Sequence, residues 1–127
     1  MGPVTIFDST LRDGAQGTGV AFSLEDKLQA VRLLDQVGVQ YVEAGNPGSN
    51  PKDAEFFQRA ASLPLKNAKL VSFGSTRRKN IPAWEDANLA AVLAAGGTII
   101  LPKQAGNGVT FALALRPFAP DWRWQDA

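Results

Sequence analysis

The chain has 127 residues, 45% hydrophobic and 20% charged, enough for one domain with its own core and ordinary for a globular chain. Thirteen basic residues against twelve acidic ones leave a net charge of +1, which excludes an electrostatic case for nucleic acid or a membrane surface. Cysteine and histidine are both absent. Disulfides, thiolate metal sites and imidazole chemistry are thereby excluded, so any reaction must run on carboxylates, hydroxyls, amides, Lys and Arg.

No apolar run approaches the ~20 residues of a membrane span. The first residues lack a basic segment followed by an apolar stretch, and Ile6 stands where a myristoylation signal has Ser or Thr. The location expected by elimination is cytoplasmic.

Val4 to Phe7 is a β-rich run that ends at Asp8, followed by a polar loop with Gly14, Gly17 and Gly19. Ser23 is a good N-cap, with Glu25 and Asp26 in the first turn, where the helix dipole favours carboxylates. Leu24, Leu28, Val31 and Leu34 or Asp35 follow at helical spacing, Ala30, Leu33 and Val37 widen the apolar face, and Gly38 is the stop. Val39 to Val42 is a second strand, ending at Glu43. Asn50 then caps a helix with Pro51 at its first position, and Phe56, Phe57, Ala60 and Leu63 form its buried stripe. Lys69 to Phe73 is a third strand. Pro82 to Ala95 is a third helix, with Leu89, Val92 and Leu93 inward and Gly96 ending it. Thr98 to Leu101 is the fourth strand.

The order βαβαβαβ predicts an α/β fold with a parallel sheet and crossover helices, at about thirty residues per unit. Doubly wound sheets and (β/α)8 barrels begin alike. The glycine order after the first strand is not that of a dinucleotide fingerprint. From about Gly97 the character changes. Lys103 to Gly108 is polar, and Arg116 to Ala127 holds two prolines, Trp122 and Trp124 with no usable period. The expected organisation is three to four βα units over residues 1–101 and an irregular tail over 102–127.

In such folds active sites gather at the C-terminal ends of the strands. Three loops leave those ends, carrying Asp8 to Gln16, Glu43 to Gly45, and Ser75 to Arg78. Adjacent Arg12 and Asp13 suit two jobs. A carboxylate is a hard ligand for Mg²⁺ or Mn²⁺, and a guanidinium can hold a carbonyl or enolate oxygen. Gly14 is read as the residue that lets the backbone turn beside them. The competing reading is an Arg and an Asp in a solvated loop.

Asp8-Ser9-Thr10-Leu11-Arg12-Asp13-Gly14-Ala15-Gln16, at the end of the first strand, resembles the signature of the DRE-type metallolyase and synthase superfamily of TIM barrels. This superfamily includes isopropylmalate, citramalate and homocitrate synthases, hydroxymethylglutaryl-CoA lyase and the carboxyltransferase domain of pyruvate carboxylase. Phe22 to Lys27, Val42 to Gly45, Pro47 to Phe57 and Phe73 to Arg78 look most like the citramalate synthase branch, and the likeness covers residues 4 to 96. The resemblance implies a partial TIM barrel and a Claisen-type condensation of acetyl-CoA with a keto acid, pyruvate first, in branched-chain amino acid biosynthesis. It implies that Arg12 binds the keto-acid carbonyl and that Asp13 is a ligand to a divalent metal, Mg or Mn. Gln16 would line the pocket. Glu43 would take a substrate-pocket role, against an equal claim that it organises neighbouring loops. Arg77 and Arg78 would hold a carboxylate or a CoA phosphate, against the reading of a solvated loop.

Two features depart from that pattern. Family members complete the metal site with a His-x-His pair, which a chain without histidine cannot supply. A full barrel needs about 250 residues. The expectation is therefore an N-terminal part of a citramalate synthase-like acyltransferase, truncated or frameshifted and inactive alone. Isopropylmalate or homocitrate synthesis and the reverse lyase reaction are alternatives within the superfamily. A non-catalytic half-barrel that self-associates through its open edges is the rival from another class, and a flavodoxin-like binding domain is a third.

Overall fold

The computed structural model describes residues 2–75, 78–96, 98–103 and 110–114. The strands β1 (Phe7–Asp8), β2 (Tyr41–Gly45), β3 (Lys69–Phe73) and β4 (Thr98–Lys103) lie side by side in chain order, every neighbouring pair parallel. A doubly wound sheet reverses its strand order at a switch point. Four parallel strands in unbroken sequence order are instead the opening of a (β/α)8 barrel. A fifth strand, β5 (Thr110–Ala114), pairs antiparallel with β4.

Helix α1 (Leu24–Val37) starts where its chemistry directs. The Ser23 side chain accepts from the Asp26 N–H while the Asp26 carboxylate accepts from the Ser23 N–H, a reciprocal cap that contributes about 1 kcal/mol. The helix ends at Gly38, whose φ of 93° is a conformation that L-residues adopt at a cost. Helix α2 (Pro51–Ala60) is capped by the Asn50 side chain on the Lys52 N–H, with Pro51 where no helical N–H is needed. Phe56 and Phe57 meet edge to face, with centroids 5.3 Å apart. They join Leu11, Leu28, Val31, Val42, Ala44 and Ala60 in the core between the sheet and the two helices. Each fully buried side chain of this size contributes roughly 1.5–3 kcal/mol.

Several boundaries differ from the sequence expectation. β1 keeps only two residues, Phe7 and Asp8, which pair with Tyr41 and Val42 of β2. Val4, Ile6 and Phe7, read as its apolar run, are exposed. Leu33 and Val37, read as widening the inner face of α1, are exposed as well, while Lys27 takes a buried place on it. The third helix does not run from Pro82. A 3₁₀ turn occupies Ala83–Glu85, and α3 (Ala87–Ala94) begins after Asp86, whose carboxylate accepts from the Asn88 and Leu89 N–H groups. Leu93 faces solvent; Leu89 and Val92 are the buried pair. β4 runs to Lys103, and β5 falls inside the stretch read as irregular. Residues 104–109 and 115–127 of that stretch lie outside the described residues.

Asp35, near the end of α1, is buried and gathers the backbone that leads into β3. It accepts from the N–H groups of Lys66, Asn67 and Ala68. The Ala68 N–H first, then those of Asn67 and Lys66, hold its carboxyl below the ordinary value of 3.8. The Arg78 N–H, then that of Leu89, act on Asp86 in the same direction. A depressed folded-state pKa means the unfolded chain binds the proton more readily. The stabilisation is therefore complete above the unfolded value and is lost as pH falls through the folded one. Tm is expected to drop as pH goes below about 4. Asp35→Asn should lower Tm at neutral pH and flatten that acid limb, which a thermal melt series across pH checks.

Candidate functional site

The loop after β1 is organised by its own backbone. The Asp8 carboxylate accepts from the N–H and the hydroxyl of Thr10. The Ser9 carbonyl then accepts from the N–H groups of Arg12, Asp13 and Gly14 at 3.2, 2.9 and 3.1 Å. Leu11 is fully buried in the core and pins the loop from below. Gly14 does not take a positive φ, and a Cβ there would meet Thr10 at an ordinary 3.6 Å. The turn is made by the three N–H groups on one carbonyl, not by glycine's conformational freedom.

This fold brings Arg12 onto two carboxylates. Its Nε lies 3.1 Å from Glu43 Oε2, and its Nη1 donates to Asp13 Oδ1 at 3.2 Å. The guanidinium carbon sits 4.2 Å from the centre of the Phe73 ring. Arg12, Glu43 of β2 and Phe73 of β3 thus converge from three successive βα units. Glu43 is 2% exposed, and Asp13 is 65% exposed. The Arg12 Nε contact to Glu43 is electrostatic: the N–H is not aimed along the line to the oxygen and makes no hydrogen bond. Of the five guanidinium N–H donors, the one given to Asp13 is the one with an acceptor among the described residues. The Nε–H is buried against Glu43, so the donors that can meet a substrate oxygen are the Nη N–H groups not given to Asp13.

A cleft of about 700 Å³ opens between this loop and the one after β2, lined by Leu11, Arg12, Gln16, Lys27, Asn46 and Asp53 among others. Gln16 is exposed on its wall. Glu43 sits behind Arg12 and not on the cleft lining, and Asp13 is likewise outside it. Arg78 is exposed on the loop after β3, and its N–H donates to Asp86 at 2.8 Å. Arg77 lies outside the described residues.

The charges of Arg12, Asp13 and Glu43 sum to −1. An anionic substrate therefore gains less from Arg12 than from an isolated guanidinium. The residues do not by themselves fit a divalent ion. Among the described residues no group of three or more Asp, Glu, His or Cys could share one, and Asp13 is a single, largely exposed carboxylate already paired with Arg12.

Sequence reasoning missed a buried pair beside this group. Lys27 Nζ donates to Asp53 Oδ1 at 2.6 Å and to the Ala44 carbonyl at 2.8 Å, while Asp53 Oδ2 accepts from the Asn46 N–H at 2.9 Å. Phe73 was missed as an Arg12 partner, since only folding brings the end of β3 beside the first loop.

Comparison with known proteins gives a consistent set of likenesses. A family model described as HMGL-like matches residues 3–113. The match runs beyond residue 96, where the likeness visible in the sequence ends. The (R)-citramalate synthase of Aquifex aeolicus is 48% identical over 97 residues, covering 76% of this chain and 18% of that protein. The (R)-citramalate synthase of Streptomyces coelicolor is 46% identical over 112 residues, covering 87% and 21%. A 2-isopropylmalate synthase of Sediminispirochaeta smaragdinae is 40% identical over 84 residues, covering 66% and 16%. The chain spans about a fifth of the length of the curated relatives it matches. Among the described residues no helix is long and apolar enough to cross a membrane.

Proposed function

The chain belongs to the HMGL-like family, and from that premise we propose that it carries the first part of the substrate pocket of a 2-oxoacid-condensing acyltransferase of the citramalate synthase type. The substrates are acetyl-CoA and a keto acid, pyruvate first, and the setting is cytoplasmic branched-chain amino acid synthesis. The observation that carries this reading is the Arg12 guanidinium. It is stacked on Phe73, fixed by Glu43 on its Nε side, and has Nη donors beyond the one given to Asp13.

In this proposal Arg12 holds the keto-acid oxygen and stabilises the negative charge that grows on it as the new carbon–carbon bond forms. Glu43 keeps the guanidinium in place. Gln16 orients the substrate from the cleft wall. Asp13 acts as one ligand to Mg or Mn, the remaining donors coming from outside the described residues. On its own the chain is inactive in catalysis, since it holds no histidine to complete such a site. Isopropylmalate and homocitrate synthesis share this first loop chemistry, and the choice of keto acid rests on residues outside it.

Calorimetric titration of the chain with pyruvate, with and without Mn²⁺, tests the reading. Pyruvate binding is expected to be lost in Arg12→Lys, and any strengthening by Mn²⁺, for which the described residues supply one carboxylate, is expected to be lost in Asp13→Ala. Equal binding in both variants, or none in the parent chain, would remove the pocket assignment.

One observation favours a second reading, a self-associating module. β1 is paired on one side among the described strands, and Val4 and Ile6 beside it are 84% and 53% exposed. An open strand edge with apolar neighbours is a template for pairing. Sedimentation velocity is expected to detect dimers that Ile6→Lys dissolves; a monomer at all concentrations would sink this reading.

A further inference from the structure

The strand that presents Glu43 is irregular where it matters. The register between β2 and β3 slips between Glu43 and Gly45, leaving Ala44 unmatched. A slip of this kind re-aims the side chains beside it and needs something to hold it in one state. The Lys27–Asp53 pair touches each of the three residues after Glu43. Lys27 Nζ takes the Ala44 carbonyl, the Asp53 carboxylate lies against Gly45 where a Cβ would be, and Asp53 Oδ2 takes the Asn46 N–H. Lys27 comes from α1 and Asp53 from α2, and both side chains are 11% exposed. Two helices and the strand end therefore meet in one ionic cluster on the cleft wall.

Burying such a pair is a poor way to gain stability. Desolvation offsets most of the Coulomb attraction, and an apolar pair of similar volume often serves as well. What the charged pair supplies is directed hydrogen bonds to a backbone segment that cannot bond regularly to its neighbour strand. We propose that Lys27 and Asp53 are positioning residues: their pair locks the slipped end of β2 and so sets the Glu43 carboxylate against the Arg12 guanidinium. The functional weight of this inference rests on the reading of Arg12 as the keto-acid-binding group; the positioning itself does not.

The test uses the full chain and reads Arg12 directly. In ¹⁵N NMR the Arg12 Nε–H signal, assigned by its loss in Arg12→Lys, should stand apart from those of exposed arginines. In Lys27→Met and in the isosteric Asp53→Asn it should move to the exposed-arginine position while the amide spectrum stays dispersed. Asp35→Asn, a destabilised variant at the other end of α1, should leave it in place. An unmoved signal in Lys27→Met and Asp53→Asn overturns the proposal. A signal that moves equally in Asp35→Asn also overturns it, since general loosening would then suffice. If neither Lys27→Met nor Asp53→Asn folds, the pair is a determinant of the fold and not of Arg12 geometry, and the proposal fails. Pyruvate titration with Mn²⁺ on the same samples separates the two layers. No binding by the parent chain, with the Arg12 signal still responding, would sink the pocket reading and leave the positioning intact. Parental affinity kept in both pair variants would overturn its functional weight.

Discussion

Arg12→Met is expected to destabilise the chain by about 3 kcal/mol, and adding Glu43→Leu is expected to recover most of that loss. Glu43 is almost completely buried, and the guanidinium is its ion-pair partner. Removing the cation leaves an anion in a medium that solvates it poorly, which is the expensive way to break a buried pair. Removing both charges leaves two apolar side chains of similar bulk against Phe73. The Arg12 side chain is 23% exposed, so water relieves part of the penalty, and the low end of the usual range applies. Asp13→Ala is the internal control. Its carboxylate is 65% exposed, and the loss of that contact should cost under about 1 kcal/mol. Denaturant titration of the parent chain, Arg12→Met, Glu43→Leu and the double variant gives the coupling between Arg12 and Glu43 directly. If Arg12→Met costs no more than Asp13→Ala, Glu43 reaches water in solution and the pair does not fix the guanidinium. The same asymmetry bears on function. Loss of keto-acid binding in an Arg12 variant is informative only where the chain is still folded, which is why the charge-preserving Arg12→Lys is the variant for binding.

The starts of α1 and α2 and the stop of α1 were legible because each is decided by one or two local residues, whereas the start of α3 at Asp86 was not. Ser23 with Asp26, Asn50 with Pro51, and Gly38 all act within a turn of where they stand. The loop from Asp8 to Gln16 was legible through its motif, and it proved to be a loop whose backbone closes on the Ser9 carbonyl. The choice between a barrel and a doubly wound sheet was legible only through the resemblance carried by the Asp8 to Gln16 motif; the pattern of elements could not make it, since it depends on which strand lies beside which, and both folds use the same local units. Lys27 left a signal that composition hides. It stands three residues after Leu24 and four before Val31, on the apolar stripe of α1, where a charge needs a partner. Asp53 stands likewise three residues before Phe56 on α2. Two opposite charges on the buried faces of consecutive helices are a pairing signal that the residue spacing alone carries. Leu33 and Val37 erred in the other direction: periodicity widened the face further than the sheet could cover. β5 escaped notice because Thr110, Ala112 and Ala114 give little contrast against Phe111 and Leu113, so its period of two is faint.

Gly45→Ala is expected to be as damaging as any single methyl group in the chain, at about 3 kcal/mol. Gly45 is buried with φ at +154°, outside the range that an L-residue adopts without strain. The added methyl would fall inside the Asp53 carboxylate. A flexible side chain would swing aside, but Asp53 is held on one oxygen by Lys27 and on the other by the Asn46 N–H. Its retreat would break both bonds and strand a buried lysine. The damage should therefore be partly relieved in Gly45→Ala/Asp53→Ala/Lys27→Met, where the clash and both charges are gone, and not in Gly45→Ala/Asp53→Ala, where the ammonium remains alone. Thermal melts of the three variants separate these cases. A Gly45→Ala chain as stable as its parent would mean that Asp53 stands away from the strand in solution. The lock on β2 would go with it, and Glu43 would depend on Arg12 alone for its orientation.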